Sequence, residues 1–493
     1  MSRWQKWMMV AVAVAVVAIP ATLKAADAAP AAAPAPSEHQ HLCGAWLDKF
    51  HKPFDGFTMG LDIRLREEYA PNMMSMNKQQ GDGALPGPDN ANQWNRQRYR
   101  ARWSMSYAVS PDIDLNARLV WEMSTWRHTP GKQHMDDEIL FDRLNVTWRN
   151  AFNAPLTLVI GRQDLMFGNG WLVGDGTPTD GSRTVHFDAA RATYELSDRT
   201  KIDLVGILNY DAEDKWLHPM NYDDTNKKHF TDHQDEVGGI LYITDKWNES
   251  TTAEYYYMYK EDDLSDWHKF NTATRPAYYD DEIHTIGAAL SGKFGGNWGY
   301  RTEIAKQFGK KGMESMSGLG TNNRLTYSFK DDRNSVLNFD YEYLSGNKPG
   351  TSKNEAFDPL WGEWPQFTRG GDLPAYMWGA EQALGEVTNL HRAGVGYTFD
   401  IAPKWSLQTN YNLLWADQEY TNPYNGTKTG PTGTQFSEDG LFRGQMITGY
   451  LKYKCCKNLS MHFLVDYFQP GGFFSGSDQD HAVFLRYNLE FTF

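Results

Sequence analysis

The most chemically specific feature of the sequence is a run of arginines at every second position: Arg96, Arg98, Arg100 and Arg102. In an extended strand, alternate side chains share one face and lie about 6.7 Å apart. Guanidinium groups at that spacing repel one another, so this face must meet carboxylates, water or an anionic ligand. Guanidinium is planar, permanently charged and able to bind a carboxylate through two parallel hydrogen bonds. This run, which we call the arginine ladder, therefore predicts a binding strip for an organic anion.

The alternative is that the ladder is neutralised by nearby carboxylates such as Asp62, Glu68 and Glu122, which would leave a solvated charged face. Other arginines share the phase of the ladder in their own predicted strands. They are Arg64, Arg66, Arg118, Arg143, Arg191, Arg301, Arg324, Arg392 and Arg486. Acidic residues also occur in this phase, namely Asp188, Glu303, Asp340, Glu342, Asp466 and Glu490. The expected interior is therefore charged with both signs.

Other candidate sites are weaker. An esterase could draw its catalytic set from Ser475, Ser477, Asp478, Asp480 and His481, but nothing in the sequence fixes the base, so a hydrolase is the alternative of another class. Three histidines lie in an acidic loop that could bind a metal or calcium, although a solvated loop is the favoured interpretation. These histidines are His218, His229 and His233. We expect no cofactor, because the glycines from Gly168 to Gly174 lack the spacing of a dinucleotide loop.

Loop aromatics could stack on sugar rings or pack on one another. They include Trp361, Trp364, Tyr376 and Trp378.

The cysteines are Cys43, Cys455 and Cys456. A disulfide from Cys43 to Cys455 or Cys456 is conceivable in an oxidising compartment, but unpaired cysteines are the favoured interpretation. A zinc site would want four ligands at short spacings.

The elements that must position these side chains are strands in which apolar and polar residues alternate. The alternation is clearest in residues 57–66, 98–109, 202–210, 405–415 and 481–493. Each stretch has one apolar face, with aromatic residues near its ends, and one polar face. A soluble β-sandwich shows the same alternation, so the pattern alone does not decide between the two fold classes.

The lengths of the connections decide between them, because short turns and long polar loops alternate without a break. The predicted short turns are 110–112, 149–155, 197–200, 245–250, 293–297, 330–334, 400–404 and 454–458. The predicted long loops are 70–93, 127–136, 164–183, 211–234, 261–280, 309–321, 345–384, 417–440 and 470–480. Eight turns and nine loops connect 18 strands. Short periplasmic turns, long extracellular loops and an even strand number are typical of single-chain transmembrane β-barrels, an all-β fold class.

Composition excludes several other classes. The chain of 493 residues has 48 Lys+Arg against 62 Asp+Glu, a net charge of −14, which disfavours a nucleic-acid binder. An aromatic content of 14% disfavours disorder. Length suggests two or three domains, yet the hairpin is the only repeated unit, so residues 56–493 are expected to form one barrel domain.

The two ends indicate the compartment. Residues 1–28 are typical of a signal peptide, with Arg3 and Lys6 before an apolar run and Ala26-Asp27-Ala28 as a cleavage site. Residues 29–55 form an Ala/Pro linker and a short periplasmic segment. The last strand ends in Phe493 and resembles the closing strand of outer-membrane barrels. We therefore expect a protein of the bacterial outer membrane.

Several motifs resemble the bacterial alginate-export family, whose barrels secrete an acidic polysaccharide. They are Gly60-Leu61-Asp62, Gly161-Arg162-Gln163, Phe187-Asp188-Ala189, Thr388-Asn389-Leu390 and Phe468-Gln469-Pro470-Gly471. The resemblance implies an 18-stranded barrel whose inward arginines form a constriction for a polyuronate. Arg143 and Arg162 match family arginines, and the ladder matches a basic second strand loosely. Alternation leaves the direction of Arg162 open, and Gly161 could mark a bulge that turns it inward.

The sequence departs from the family at two places. Leu384 stands where a family arginine is expected, and residues 454–458 occupy the place of a long periplasmic plug. The predicted function is an outer-membrane channel for an alginate-like polyuronate or another organic anion, with no catalysis. A general diffusion porin of low selectivity is the alternative. Expected partners are outer-membrane lipid, lipopolysaccharide, the anionic polysaccharide and periplasmic secretion proteins, with no nucleic acid and a monomeric state.

Overall fold

A computed structural model gives the structure of the protein. It describes residues 50–71, 93–126, 135–174, 186–209, 217, 219–221, 235–263, 281–362, 388–420, 436–437, 440–474 and 479–493. The predicted signal peptide, the Ala/Pro linker, Cys43 and Leu384 lie outside these ranges, as do His218, His229, His233, Trp364, Tyr376, Trp378, Ser475, Ser477 and Asp478.

Eighteen barrel strands are formed by the described residues. The first nine are β1 (Phe57–Pro71), β2 (Gln93–Ser110), β3 (Ile113–Trp126), β4 (Met135–Trp148), β5 (Leu156–Gln163), β6 (Phe187–Glu195), β7 (Thr200–Asn209), β8 (Asp235–Asn248) and β9 (Thr251–Asp263). The others are β10 (Asp281–Phe294), β11 (Trp298–Lys311), β12 (Leu319–Ser328), β13 (Val336–Leu344), β14 (Leu390–Ala402), β15 (Trp405–Trp415), β16 (Phe442–Lys454), β17 (Leu459–Pro470) and β18 (Ala482–Thr492). The turn after β4 contains a short 3-10 helix, Ala151–Asn153.

Each strand pairs antiparallel with the next along the chain, and the barrel closes where β1 pairs with β18. Thr492 lies opposite Asp62, and Leu485 lies opposite Tyr69. Two short strands in loops, Glu314–Met316 and Lys353–Asn354, extend the sheet beyond the barrel. The predicted closed barrel of 18 strands is confirmed.

Alternation separates an apolar outer face from a polar inner face. On β1, Leu65 and Tyr69 are exposed, whereas Arg64, Arg66 and Glu68 are buried. Exposed aromatic residues of the same outer phase recur around the barrel, and they include Trp103, Tyr107, Tyr255, Tyr257, Phe308, Tyr341, Tyr397, Phe463 and Tyr487. In a barrel that crosses a membrane, such residues form the interfacial girdles. Within the described residues, no helix is long and apolar enough to cross a membrane.

Two connections fold back into the barrel. We call residues 164–174, between β5 and β6, the first inner segment, and residues 355–362, between β13 and β14, the second inner segment. A parallel bridge joins Val173 to Trp361. Buried apolar side chains of both segments share one cluster with inward residues of β6 to β11. The cluster includes Phe167, Trp171, Val173, Phe187, Ile207, Ile240, Tyr242, Tyr256, Met258, Ile283, Phe357 and Trp361. The interior is therefore partly filled by chain from the long-loop end.

Candidate functional site

The arginine ladder lies on the interior face of β2, opposite a second charged row on β1. The opposed positions are Asp62–Arg102, Arg64–Arg100, Arg66–Arg98 and Glu68–Arg96. Like charges directly opposite each other destabilise a sheet. The two arginine pairs in the middle of this row therefore need carboxylates around them.

Asp62 supplies one of these carboxylates. Its Oδ1 accepts hydrogen bonds from Arg100 Nη2 at 2.8 Å and from Arg102 Nε at 3.0 Å. Glu490 of β18 contacts Arg100 Nη2 at 3.2 Å from the other side. The ladder is thus partly neutralised by the first and last strands of the barrel.

Glu68 supplies a second carboxylate, which is 3% exposed and shared by three arginines. Its Oε1 accepts from Arg98 Nη1 at 3.0 Å and from Arg486 Nη2 at 3.0 Å, and it lies 3.8 Å from Arg66 Nη1. Arg96 Nε instead donates to Ser124 Oγ on β3. These contacts agree with the predicted pairing of the ladder with Asp62 and Glu68.

A β-bulge organises the arginines of β3 and β4. Arg118 lies opposite Arg143, and the register shift beside this pair makes Asp142 the additional residue of β4. Arg118 Nε donates to Asp142 at 2.7 Å, and Arg118 Nη2 donates to Asp164 at 2.8 Å. Arg143 also donates to Asp164, the first residue of the first inner segment. The two arginines therefore anchor that segment to the wall.

Arg162 is held by a bidentate pair with Asp188. Its Nε and Nη2 donate to the two carboxylate oxygens at 2.8 and 2.9 Å, and its Nη1 donates to the carbonyl of Phe141 at 2.9 Å. Strict alternation would give Arg162 the exposure of Ile160, yet Arg162 is 1% exposed and Ile160 is 54% exposed. Gly161 has φ +117°, a conformation that favours glycine, and the strand register runs through it continuously. The reorientation of Arg162 is thus a local backbone change and not the bulge that alternation suggested.

The first inner segment crosses towards β11 past two more arginines. Arg191 on β6 pairs with Asp203 at 2.8 Å, and its guanidinium lies 5.1 Å from the centre of the Phe167 ring. Arg301 Nη1 and Nη2 lie 2.5 Å from Glu254 and 2.7 Å from Glu303. A Cβ on Gly168 would lie 2.5 Å from Arg301 Nη2, so the segment passes directly against this side chain.

Trp171 connects the first inner segment to β13. Its Nε1 donates to Glu342 Oε1 at 3.1 Å, and its ring stacks on Phe357 with centroids 5.5 Å apart. Glu342 is buried and lies 3.5 Å from Arg392 Nε. Arg324, on the neighbouring β12, pairs with Asp340 at 2.5 Å.

A buried charge cluster fixes the second inner segment. Lys260 on β9 lies 3.3 Å from Glu236 and 3.1 Å from Asp262, and its Nζ donates to the carbonyl of Leu360 at 3.5 Å. Trp361 Nε1 donates to Glu236 Oε2 at 3.3 Å. The available sequence signal for this cluster was a lysine in the inward phase of β9, two residues after the buried Met258, and the cluster was not predicted.

Asp358 links the second inner segment to β11. Its carboxylate lies 3.5 Å from Lys311 Nζ, and its backbone N–H donates to Gln307 Oε1 at 2.7 Å. Burial alone would raise the pKa of Asp358, but the charges of Lys311 and Lys260 and the N–H of Leu360 outweigh it and hold the pKa below its usual value. The carboxylate is therefore charged at neutral pH, where it pairs with Lys311 and is attracted by the charge of Lys260.

The structure divides the predicted arginines, apart from Arg96, into two groups by exposure; Arg96 has intermediate burial. In the first group at most 7% of the side chain or residue is exposed, and it comprises Arg64, Arg66, Arg100, Arg118, Arg162, Arg392 and Arg486. In the second group 15% to 36% of the side chain is exposed, and it comprises Arg98, Arg102, Arg143, Arg191, Arg301 and Arg324. The buried group cross-links the wall, whereas the side chains of the second group, which we call the half-exposed group, are partly accessible to solvent.

Among the remaining candidates, those that the structure describes do not form a site. His481 stacks on Tyr467, 5.4 Å away and on the outer phase of β17, while Ser475 and Ser477 lie outside the described residues. Within the described ranges, no group of His, Cys, Asp and Glu is arranged to hold a metal ion. Cys455 and Cys456 lie in the short turn after β16 and are not joined to each other. Cys43 lies outside the described residues, so the favoured unpaired state and the alternative link to Cys43 both stay predictions.

Arg443 is a further interior arginine that was not predicted from the sequence. It is 1% exposed, donates from Nη2 to the carbonyls of Thr388 and Asn389 at 3.1 and 2.6 Å, and lies over the ring of Phe473. Gly444, with φ +140°, breaks the alternation beside it. The glycine is the signal that could have marked the position.

Comparison with solved structures finds the same fold. Acinetobacter baumannii OccAB4 is 10% identical, with a TM-score of 0.52 over 88% of this chain and 98% of that one. Pseudomonas aeruginosa OpdL is 10% identical, with a TM-score of 0.52 over 89% and 99% of the two chains. Pseudomonas aeruginosa OccK7 (OpdD) is 13% identical, with a TM-score of 0.51 over 89% and 99%.

A search of the curated proteins finds no significant match. The family model for alginate export, in contrast, matches residues 57–486, from the first residue of β1 to Arg486 on β18. The match spans the barrel and its interior charged residues, and the chain therefore belongs to the alginate-export family.

Proposed function

We propose that this protein is an outer-membrane channel that passes an alginate-like polyuronate or another organic anion through an arginine-lined lumen. Membership of the alginate-export family and the closed barrel point to a transport channel and not to an enzyme. Anion selectivity and the identity of the solute are parts of this proposal.

The observation that carries the proposal is the half-exposed group of arginines around the first inner segment. Arg143, Arg191 and Arg301 contact this segment through Asp164, Phe167 and Gly168. A solute that passes the segment comes within reach of these three arginines, whose side chains are 17% to 36% exposed. Paired arginines offer moderate and repeated attraction, so a carboxylate can exchange from one to the next without a deep trap.

The buried arginines have a different part in the proposal. Arg64, Arg100 and Arg486 keep the wall positively charged behind the half-exposed group, and low exposure protects their field from screening by salt. Their carboxylate partners prevent repulsion from opening the sheet. The selectivity that we expect is therefore moderate.

Ion selectivity in planar bilayers tests the proposal. The purified protein should conduct anions in preference to cations at low salt, and polyuronate oligomers should block the current. The variant Arg143→Gln, Arg191→Gln, Arg324→Gln should lose most of this preference and bind the oligomers less tightly.

A matched control removes three positive charges close to the short-turn end: Lys246→Gln, Lys330→Gln, Lys457→Gln. This control should keep most of the anion preference. A wild-type channel that prefers cations, and whose selectivity the arginine variant does not change, would refute the proposal.

A general diffusion channel of low selectivity is the second candidate, and the extensive ion pairing of the arginines favours it. Asp62, Glu68 and Asp164 each serve at least two arginines. If these pairs cancel the field completely, uronate oligomers will not block the current and the permeability ratio will be near one. The same bilayer experiment separates the two candidates.

A further inference from the structure

Three lysines cluster on the outer surface of the barrel at the long-loop end. Lys306 and Lys310 lie on β11 in the outward phase, which they share with the exposed Ile304 and Phe308. Lys353 belongs to the short loop strand that continues the same sheet. The buried residues between these positions, such as Gln307, face the interior.

Strand pairing brings Lys310 and Lys353 to either side of Ser315. Lys310 lies opposite Ser315 on the first short loop strand, and Ser315 lies opposite Lys353 on the second. Two strand spacings separate the lysine backbones by about 9.6 Å. Because lysine side chains are long and flexible, the ammonium groups of Lys310 and Lys353 can both contact one anion bound between them.

Lys306 completes the cluster from the membrane side. Its Nζ donates to the hydroxyl of Ser317 at 2.9 Å and to the carbonyl of Ser317 at 3.2 Å. Ser317 N–H donates to the carbonyl of Asn354, the residue after Lys353. The loop therefore orients Lys306 towards the other two lysines.

Acidic neighbours leave the cluster positive. Glu282 lies 3.7 Å from Lys310, and side-chain exposures of 47% and 65% make this a weak surface pair. Glu355 attracts Lys306 electrostatically, and its carboxylate also accepts hydrogen bonds from Thr351 and from the backbone of Lys348. The three ammonium groups and the hydroxyls of Ser315 and Ser317 can bind a phosphate monoester, which carries between one and two negative charges at neutral pH.

The surface beside the cluster is aliphatic. In the row of Lys306, Ile286 lies on one side and Leu319 on the other, with exposures of 49% and 37%. Ile304, on the same face, is 54% exposed. A ligand that fits this surface has a phosphate next to acyl chains, which describes a phosphorylated lipid and not free phosphate.

We propose that Lys306, Lys310 and Lys353 bind the phosphate of a phosphorylated glycolipid in the outer leaflet, with its acyl chains on Ile286, Ile304 and Leu319. This inference rests on the proposed outer-membrane location, in which long loops lie outside the cell. The site faces lipid, so it is separate from the lumen and from solute passage.

Lipid retention measured by native mass spectrometry tests the site. The purified barrel is mixed with lipid A carrying its phosphates and, separately, with the same lipid after dephosphorylation. Wild type should retain the phosphorylated lipid preferentially. The variant Lys306→Gln, Lys310→Gln, Lys353→Gln should bind it about tenfold or more weakly, since three charges near an anionic lipid surface are lost.

The variant Lys246→Gln, Lys330→Gln, Lys457→Gln removes the same charge at the other end and should retain the lipid like wild type. Equal retention of the two lipids by wild type, or equal retention by both triple variants, would overturn the inference. Bilayer recordings of the Lys306 triple variant should show unchanged ion selectivity. A wild-type channel that prefers cations would count against the proposed function, while the lipid comparison would still decide the site.

Discussion

Arg64 on β1 and Arg100 on β2 lie directly opposite each other in the wall, both buried. Such a pair is unfavourable by itself. Glu490, opposite Arg64 on β18 and 3.2 Å from Arg100 Nη2, brings a compensating carboxylate. Because β18 reaches β1 only when the barrel closes, neutralisation of the ladder is coupled to closure.

Replacing Glu68 should destabilise the barrel strongly. The change Glu68→Gln removes the buried charge that Arg98 and Arg486 share, and breaking a buried pair costs about 3–5 kcal/mol. The free energy of unfolding from lipid vesicles in urea measures the effect. Glu67→Gln, on the outer face where Glu67 accepts from Gln97, should cost less than about 1 kcal/mol. Equal costs for the two variants would contradict the role given to Glu68.

Replacing Asp62 should increase anion selectivity. The change Asp62→Asn removes a negative charge that Arg102 and Arg100 share, while Glu490 still contacts Arg100. We expect the ratio of anion to cation permeability to rise by about twofold in 0.1 M salt and less in 1 M salt, where screening acts over about 3 Å. Reversal potentials in a salt gradient measure the ratio. Asp331→Asn, at an exposed short turn, is the control, and an identical rise in both variants would place the effect outside the ladder.

The strands and the phase of most arginines could be predicted because alternation and loop length are local properties of the sequence. Asp142 and Arg443 could not be placed in the same way, since a bulge or a glycine with positive φ changes the phase next to them. The contact of Glu68 with Arg486 joins residues 418 positions apart and requires the register of the closed barrel. Trp171 lies in a loop whose sequence has no hydrophobic periodicity, so its inward packing could not be predicted from the sequence.

Removing the Trp171 side chain from the first inner segment should widen the channel. Trp171→Ala removes the stack on Phe357 and the hydrogen bond to Glu342. We expect larger single-channel conductance with more frequent fluctuations, and a loss of about 3–5 kcal/mol in stability from the cavity. Trp247→Ala, at an exposed position near the short-turn end, should leave conductance unchanged. Unchanged conductance in Trp171→Ala would show that the first inner segment does not limit flow.

The second inner segment should loosen in acid through Asp358. Its pKa in the folded protein lies below the ordinary carboxyl value of 3.8, so its stabilising contribution is present above that value and is lost as the pH falls through the lower folded pKa. Channel recordings should therefore be steady from neutral pH to about pH 5 and become noisy only below about pH 4. Asp358→Asn should show the noisy behaviour already at neutral pH. A variant indistinguishable from wild type would show that Asp358 does not hold the second inner segment.

Gly161 should be intolerant of any side chain, for a reason that also explains the position of Arg162. With φ +117°, a Cβ at this residue would lie 2.4 Å from the carbonyl oxygen of Leu144. Gly161→Ala must either strain the backbone, at about 1–3 kcal/mol, or return to ordinary strand geometry. The second outcome would give Arg162 the exposure of Ile160 and break its pair with Asp188. Gly239→Ala, where a Cβ meets nothing within 4 Å, should be neutral or slightly stabilising. Urea unfolding compares the two alanine variants, and equal stability would mean that the backbone at Gly161 does not hold Arg162 in place.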